Sequence, residues 1–399
     1  MIYKQYKDLK LSALGFGAMR LPWMNDNSGR VDQEAVEKMI DYAMANGVNY
    51  YDTAYPYMNS LSEGSIGKAL SRYPRDSWYL ATKYPGHQNA KGADVLDPKA
   101  VFEDQLQKCG VEYFDFYLLH NVNENSLSFY CGEDSSYMDY FVEQKKLGRI
   151  KHLGFSCHCE VPGIKQFMEK FGEHMEFCQI QLNYLDWTLQ KAKEKVEYLN
   201  SINMPIWVME PVRGGKLSKL DDAVEAKMRE LRGEESTSAW AFRWLQTVPQ
   251  PTMILSGMTT FEHVVDNVKT FSDEKLLNEE ELALLKIAAD KLATLVPCTA
   301  CRYCCKGCPA ELDIPSLITL YNDLLMGYNV NIPMRYGGFD EDKRADNCIG
   351  CGQCTAACPQ NIDVPSILAD FAERMSKLED WASICRTRNA IAAEMLAKK

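Results

Sequence analysis

The sequence predicts an α/β protein: a (β/α)8 TIM barrel over residues 1–290, then a smaller, mainly α-helical domain over residues 291–399. Three observations predict this. Strand-like apolar runs and helix-like stretches alternate from Leu14 to Val268, the rhythm of βα units. No G-x-G-x-x-G follows the first strand, which favours a closed barrel over a doubly wound sheet. Beyond residue 297 the pattern gives way to two cysteine runs, the second starting at Cys348, 50 residues after the first at Cys298.

The elements follow in order. Tyr3 to Ser12 alternates like a short hairpin, and Leu14 to Leu21 reads as the first barrel strand. Asp32 caps a helix whose Val36, Met39, Ile40 and Ala43 repeat at helical spacing up to Gly47. A second strand, Val48 to Tyr51, runs out at Asp52, and Ser62 to Leu70 is the next helix. The third strand ends at Lys83; a helix from Pro98 to Cys109 stops at Gly110; the fourth strand ends at His120. After an acidic loop come a helix from Met138 to Leu147 and a fifth strand from Ile150 to Ser156. Phe177 to Leu182, Ile206 to Met209 and Thr252 to Leu255 complete eight strands, with helices between and Phe261 to Val268 after the last. Glu279 to Leu295 and Ile314 to Met326 are further helices, and another closes the chain.

In parallel α/β folds chemistry collects where strands end. Asp52 and Tyr57 follow the second strand, Lys83 ends the third and His120 the fourth, so a barrel would bring them together. Such a set suits proton transfer to a carbonyl oxygen. A tyrosine, with an ordinary pKa of about 10, needs an adjacent cation to become a useful acid. Lys83 supplies that cation, Asp52 holds it charged, and His120 orients the oxygen. From the residues alone, Tyr55 in Y-P-Y competes with Tyr57.

D-T-A-x-x-Y at Asp52 to Tyr57, then Glu63-Gly64, T-K at Lys83 and L-L-H at His120, resembles the aldo/keto reductase superfamily from Tyr3 to Asp290. The resemblance makes Asp52, Tyr57, Lys83 and His120 a catalytic tetrad and places the hairpin at the barrel bottom. It implies NADH or NADPH as cofactor, with Met19, Arg20 and Asp52 near the nicotinamide, Ser156 and Gln179 on its amide, and Asn267 at the adenine end. Met209 stands where the family has a stacking aromatic, and Cys157 where it has asparagine. Phosphates in barrels usually sit after strands seven and eight. Those loops hold Arg213 and Lys216 with glycine amides, and Ser256 before a helix N-terminus. Gly257 and His263 occupy the positions of the family's 2′-phosphate lysine and arginine, which weakens the NADPH case without establishing NADH.

The composition is ordinary and globular, 46% hydrophobic and 25% charged over 399 residues. A net charge of −11, with no basic stripe, argues against nucleic acid and anionic membrane as partners. The start lacks the apolar core of a signal peptide, and no run approaches the ~18 residues of a membrane helix, so a cytoplasmic protein is expected.

Cys298, Cys301, Cys304 and Cys308 before a proline form C-x2-C-x2-C-x3-C-P, and Cys348, Cys351, Cys354 and Cys358 repeat it, extending into D-I-P-S and D-V-P-S. This spacing fits a 4Fe-4S cluster better than the alternative, tetrahedral zinc. From Pro297 to about Arg374 the chain resembles α-helical dicluster ferredoxins. That resemblance implies two 4Fe-4S clusters with exchanged fourth ligands: Cys298, Cys301, Cys304 and Cys358 on one, Cys348, Cys351, Cys354 and Cys308 on the other. The remaining cysteines, including Cys305, read as unligated thiols in the reducing cytosol of an anaerobe.

A hydride carries two electrons and a cluster passes one, and the sequence shows no flavin motif to join them. The expected activity is therefore NAD(P)H-dependent reduction of a small-molecule carbonyl, or oxidation of an alcohol, with the cluster domain accessory. The alternative is an electron-transfer protein: the clusters exchange electrons with a redox partner protein and the barrel is a nucleotide-binding or one-electron reductase module. The substrate is not legible. Its loops would be Pro85 to Leu96, Asn121 to Asp134 and the C-terminal segment, with Tyr55, Phe129 and Trp187 as candidate walls.

Overall fold

Ten strands organise the computed structural model, which describes all residues except 25–28, 89–95, 125, 234, 293–295, 297, 299–303, 306, 326, 358–361 and 398–399. β1 (Tyr3–Tyr6) and β2 (Leu9–Ser12) form an antiparallel hairpin in which Tyr3 faces Ser12. β3 (Leu14–Gly17), β4 (Tyr50–Asp52), β5 (Tyr79–Tyr84), β6 (Phe114–Val122), β7 (Ile150–Cys157), β8 (Cys178–Gln181), β9 (Ile206–Met209) and β10 (Pro251–Gly257) pair in parallel, and β10 returns to β3 to close the barrel. In two-sided burial, near-continuous apolar strands are expected. β6 is one, FDFYLLHNV, with only His120 reaching solvent.

Local chemistry sets the helix limits. Asp97 accepts hydrogen bonds from the amides of Lys99 and Ala100, Pro98 occupies the first turn, and Gly110 takes the left-handed conformation at φ 65°, so the helix spans Pro98–Cys109 as expected. Asp32 Oδ1 likewise accepts from the Ala35 amide at 3.0 Å and starts the helix Gln33–Ala45.

The hairpin closes the barrel floor. Tyr6 and Leu11 join Tyr50, Phe116, Phe177, Trp207 and Met253 in one buried cluster, and the Tyr6 ring meets Trp207 edge-on at 4.9 Å. A latch reinforces it: Lys7, Lys145 and His152 all converge on Glu176, whose carboxyl they hold well below the usual range despite burial.

Some boundaries differ from the sequence expectation. The first barrel strand ends at Gly17, not Leu21, because the chain turns at Ala18–Arg20 and the Ala18 carbonyl accepts a hydrogen bond from Ser62 Oγ at 2.8 Å. Two helices, Asp222–Arg232 and Thr237–Thr247, fill the stretch between β9 and β10. A short helix, Leu127–Tyr130, lies within the loop after β6. The expected helix end at 293–295 falls outside the described residues.

By its contacts the chain forms two compact units, Ile287–Thr387 making up most of one and the chain to Lys286 with Arg388 onward most of the other. In the smaller unit the helices Ile314–Leu325 and Val364–Ser376 bury Leu317, Ile318, Leu320, Leu368 and Phe371 around Cys304 and Cys354. The duplication is visible in atoms: Ser316 Oγ donates to Asp313 at 3.0 Å and Ser366 Oγ to Asp363 at 2.7 Å. No helix among the described residues is long and apolar enough to cross a membrane.

Candidate functional site

Strand register assembles the first cluster of side chains. Asp52 is the last residue of β4, level with Gly17 on one side and Ala81 on the other, and Lys83 lies two residues further along β5. Lys83 is fully buried; its Nζ donates to Asp52 Oδ1 at 2.6 Å and to the Thr53 carbonyl at 2.7 Å. Burial pulls the lysine pKa down, and Asp52 and then Glu63 oppose that by favouring the charged form. The ammonium also sits 4.8 Å from the centre of the Tyr57 ring, which in turn meets the His120 ring edge-on at 5.6 Å. All four expected catalytic residues are therefore neighbours.

Their charge states follow from the surroundings. Burial, then Asp52 and Glu210, push the Tyr57 hydroxyl well above the usual phenol range. Burial, with His87 and Lys83, pulls His120 well below the usual imidazole range. At neutral pH the site thus holds a protonated tyrosine and an uncharged histidine, both able to donate. Met58, Asn59 and Ser60, the three residues after Tyr57, all have positive φ, at 53°, 55° and 65°. For residues with side chains this costs about 1–2 kcal/mol each.

A second layer fixes the first. Gln105 Nε2 donates to Glu63 Oε1 at 2.8 Å, to Thr82 Oγ1 at 3.1 Å and to the Lys83 carbonyl at 3.0 Å, while its Oε1 accepts from Tyr117. Thr82 Oγ1 donates to the same Glu63 oxygen at 2.6 Å. Lys108, 2.6 Å from Asp104 and 3.9 Å from Glu63, extends the buried charges and covers the Tyr55 ring at 4.1 Å. Tyr55 is thus buried against this network, whereas Tyr57 lies between Lys83 and His120. Gln105 carried a readable signal: it is a polar residue in the stripe Val101, Phe102, Leu106, Cys109 of an amphipathic helix. His87 carried none. It packs edge-on against His120 at 4.6 Å, bonds through Nδ1 to the His120 carbonyl at 3.1 Å, and burial with nearby Arg388 draws its pKa down to about 3.

The expected nucleotide contacts are spread along the same end of the barrel. Ser156 and Gln179 are register partners on β7 and β8; Ser156 Oγ accepts from the Asn121 amide at 2.8 Å, and Gln179 Oε1 is buried without a partner. Gln179 Nε2 reaches Met209 Sδ at 3.7 Å. Asn267 Nδ2 donates to Ser256 Oγ at 2.9 Å. Met19 and Arg20 are exposed, and Lys216 is half-buried. Arg213 is turned inward: its Nε donates to Asp186 Oδ1 at 3.0 Å and Oδ2 at 3.1 Å, and Gln181 and Asn183 bond the same carboxylate.

The Aldo/keto reductase family profile matches residues 13–290. The chain belongs to that family. An uncharacterized oxidoreductase of Schizosaccharomyces pombe is 26% identical over 274 residues, covering 66% of this aldo/keto reductase and 82% of its own length. Another, YqkF of Bacillus subtilis, is 24% identical over 311 residues, covering 69% and 92%. Among solved structures, the holo form of an aldo-keto reductase from Bacillus halodurans superposes with a TM-score of 0.56 at 24% identity over 72% of this chain and 96% of that one. One from Klebsiella pneumoniae in complex with NADPH gives 0.55 at 19% identity over 72% and 96%. At these identities the likeness shows the fold.

Several cysteines of this family member gather in the smaller unit as a second candidate site. Cys308, Cys348, Cys351 and Cys354 line one cavity with Leu312, Ile314 and Leu368. That brings the fourth cysteine of the first run together with three of the second. Burial, and then the neighbouring Cys305 and Cys298, push the Cys304 thiol up to about 12. Cys301 and Cys358 lie outside the described residues. Among the described residues no three His, Cys, Asp or Glu side chains are arranged to hold a single ion. A 4Fe-4S dicluster domain profile matches residues 297–362.

Proposed function

We propose that this oxidoreductase transfers a hydride between NADH or NADPH and a small carbonyl or alcohol substrate, with Tyr57 as general acid, and that its smaller unit carries two 4Fe-4S clusters in an accessory role. The observation that carries the reading is the buried Lys83–Asp52 pair set beneath the Tyr57 ring with His120 alongside.

The residues fit a dinucleotide. Gln179 Oε1 is an orphaned buried acceptor of the kind a carboxamide N–H satisfies, and Ser156 stands beside it. Bound reduced nicotinamide would supply the hydride to the carbonyl carbon. Tyr57 gives its proton to the carbonyl oxygen, and the Lys83 charge stabilises the phenolate left behind. Asp52 and the Thr53 carbonyl keep that ammonium in place. Neutral His120 donates a hydrogen bond that orients the substrate oxygen. In alcohol oxidation the same residues act in reverse.

For the clusters, the cavity lined by Cys308, Cys348, Cys351 and Cys354 supports one ligand set, and Cys298 and Cys304 would join Cys301 and Cys358 in the other. Thiolates free of oxidation need a reducing compartment, which supports a cytoplasmic setting and an anaerobic host. A second reading, electron exchange with a partner protein, draws support from the exposure of Cys351 and of Ile349, 68% accessible beside it.

An anaerobic assay tests the first reading: carbonyl panel, NADH or NADPH, nicotinamide oxidation and cluster absorbance recorded together. Tyr57→Phe should cut turnover by about 10²–10⁴-fold with cluster absorbance unchanged. Turnover retained in that variant sinks the reading.

A further inference from the structure

We propose that His87 and Tyr130 are positioning residues for the reaction: they hold the backbone carbonyl of His120 so that its imidazole stays aimed at the substrate oxygen. The assignment rests on the carbonyl-reduction reading above. An imidazole that must point one nitrogen at a reacting atom is ordinarily oriented by a hydrogen bond at the other. His120 lacks that support. Its Nδ1 is buried without a partner, and among the described residues no hydrogen bond reaches the ring. The aim of the ring must therefore come from the main chain and from neighbouring rings.

The main chain is irregular at this point. Leu119 of β6 faces Phe155 of β7 and Val122 faces Cys157, so His120 and Asn121 together oppose Ser156 alone. An extra residue of this kind is a β-bulge, which interrupts the ladder and re-aims a side chain. Asn121 takes φ 58°, a left-handed conformation that its surroundings must hold. Side chains claim the backbone groups of the bulge. Ser156 Oγ accepts from the Asn121 amide at 2.8 Å, and the Asn121 carbonyl accepts from Asn123 Nδ2 at 2.8 Å and Ser126 Oγ at 3.0 Å. The His120 carbonyl accepts twice, from the Tyr130 hydroxyl at 2.7 Å and from His87 Nδ1 at 3.1 Å.

Both donors are built in. Tyr130 ends the short helix Leu127–Tyr130, is fully buried, and its own carbonyl accepts from the Tyr137 hydroxyl at 2.6 Å. His87 follows Gly86, where a methyl group would stand 2.7 Å from the Tyr130 hydroxyl, so glycine there lets the two donors close on one carbonyl. A carbonyl can only accept, so His87 carries a proton on Nδ1. The His87 ring also walls the His120 ring edge-on at 4.6 Å, as Tyr57 does at 5.6 Å. Two hydrogen bonds and two rings thus fix a side chain that nothing holds by its own nitrogen.

Anaerobic steady-state kinetics of the cluster-loaded protein test this, with saturating NADH or NADPH and a carbonyl that the wild type reduces. The side-chain nitrogen of asparagine falls near imidazole Nδ1 and that of glutamine near Nε2. His87→Gln should therefore lower kcat by about tenfold with KM moved much less, and His87→Asn should restore most of it. Tyr130→Phe, which keeps the ring and removes only the hydroxyl, should also lower kcat by about tenfold. Because each donor partly covers for the other on one carbonyl, the Tyr130→Phe, His87→Gln double variant should lose more than the product of the single losses. Equal kcat in His87→Asn and His87→Gln, or losses that simply multiply, overturns the assignment. Tyr57→Phe is measured alongside: turnover retained there overturns the carbonyl reading and this inference with it, whereas an inactive Tyr57→Phe beside a fully active His87→Gln overturns the positioning role alone.

Discussion

The barrel site and the cysteine cavity are both buried gatherings of ionisable groups, held in opposite ways. In the barrel, charged atoms answer to partners from distant parts of the chain: Lys83 to Asp52 and the Thr53 carbonyl, Glu63 to Thr82 and Gln105, Arg213 to Asp186. In the smaller unit four thiols from two separate runs face one cavity, and thiols are weak donors and acceptors that cannot organise one another. The barrel site is set by side-chain hydrogen bonds over an aromatic core; the thiol site is lined by cysteines of two runs set against an apolar core. Charge pairing should hold the first in place without a ligand, and ligation should contribute to folding the second.

The strongest way to break that comparison is to strip iron. Anaerobic chelation should abolish hydrogen-exchange protection across 304–376 while strands β3 to β10 keep theirs. Persistent protection in Ile314–Leu325 and Val364–Ser376 after iron loss would show a core sufficient without ligation. A smaller effect is expected from Gln105→Leu, which leaves Glu63, Thr82 and the Lys83 carbonyl each short of a buried partner. It should cost about 1–3 kcal/mol for each group left unsatisfied, read from urea unfolding of the barrel, with the cluster absorbance untouched. Loss near zero would mean that the network is ornamental to the tetrad. The mildest test uses His87. Its pKa is drawn down from 6.5 to about 3, so the unfolded chain takes up a proton in that window and the folded chain does not. The resulting stability is complete above pH 6.5 and is lost as pH falls toward 3. His87→Phe should flatten the acid limb of a stability–pH curve across that window, and a parallel curve would exclude His87 as its source.

Much of this architecture was readable because local signals agreed. Pro98 and Gly110 bracket a helix whose limits follow from them, and the nearness of Asp52, Tyr57, Lys83 and His120 was legible because they sit at or just past the ends of three successive apolar runs. What stayed hidden depends on partners far apart in sequence. Arg213 reads as a free loop cation, and only the fold brings Asp186, 27 residues earlier, beneath it. The first barrel strand reads through to Leu21, yet it stops at Gly17 because Ser62, 44 residues on, takes the Ala18 carbonyl. His87 follows a proline and a glycine in a loop with no motif, and its place against His120 exists only in three dimensions.

The turn of Met58, Asn59 and Ser60 has a consequence for selection experiments. Three successive left-handed residues with side chains are a reservoir of conformational strain that glycine would release. A randomised library at these positions, sorted for thermal survival, should therefore enrich glycine. The same library sorted for catalysis should reject it, because a glycine hinge after Tyr57 would let the ring leave Lys83. The two enrichment profiles would diverge at these three codons more than anywhere else along the β4 loop.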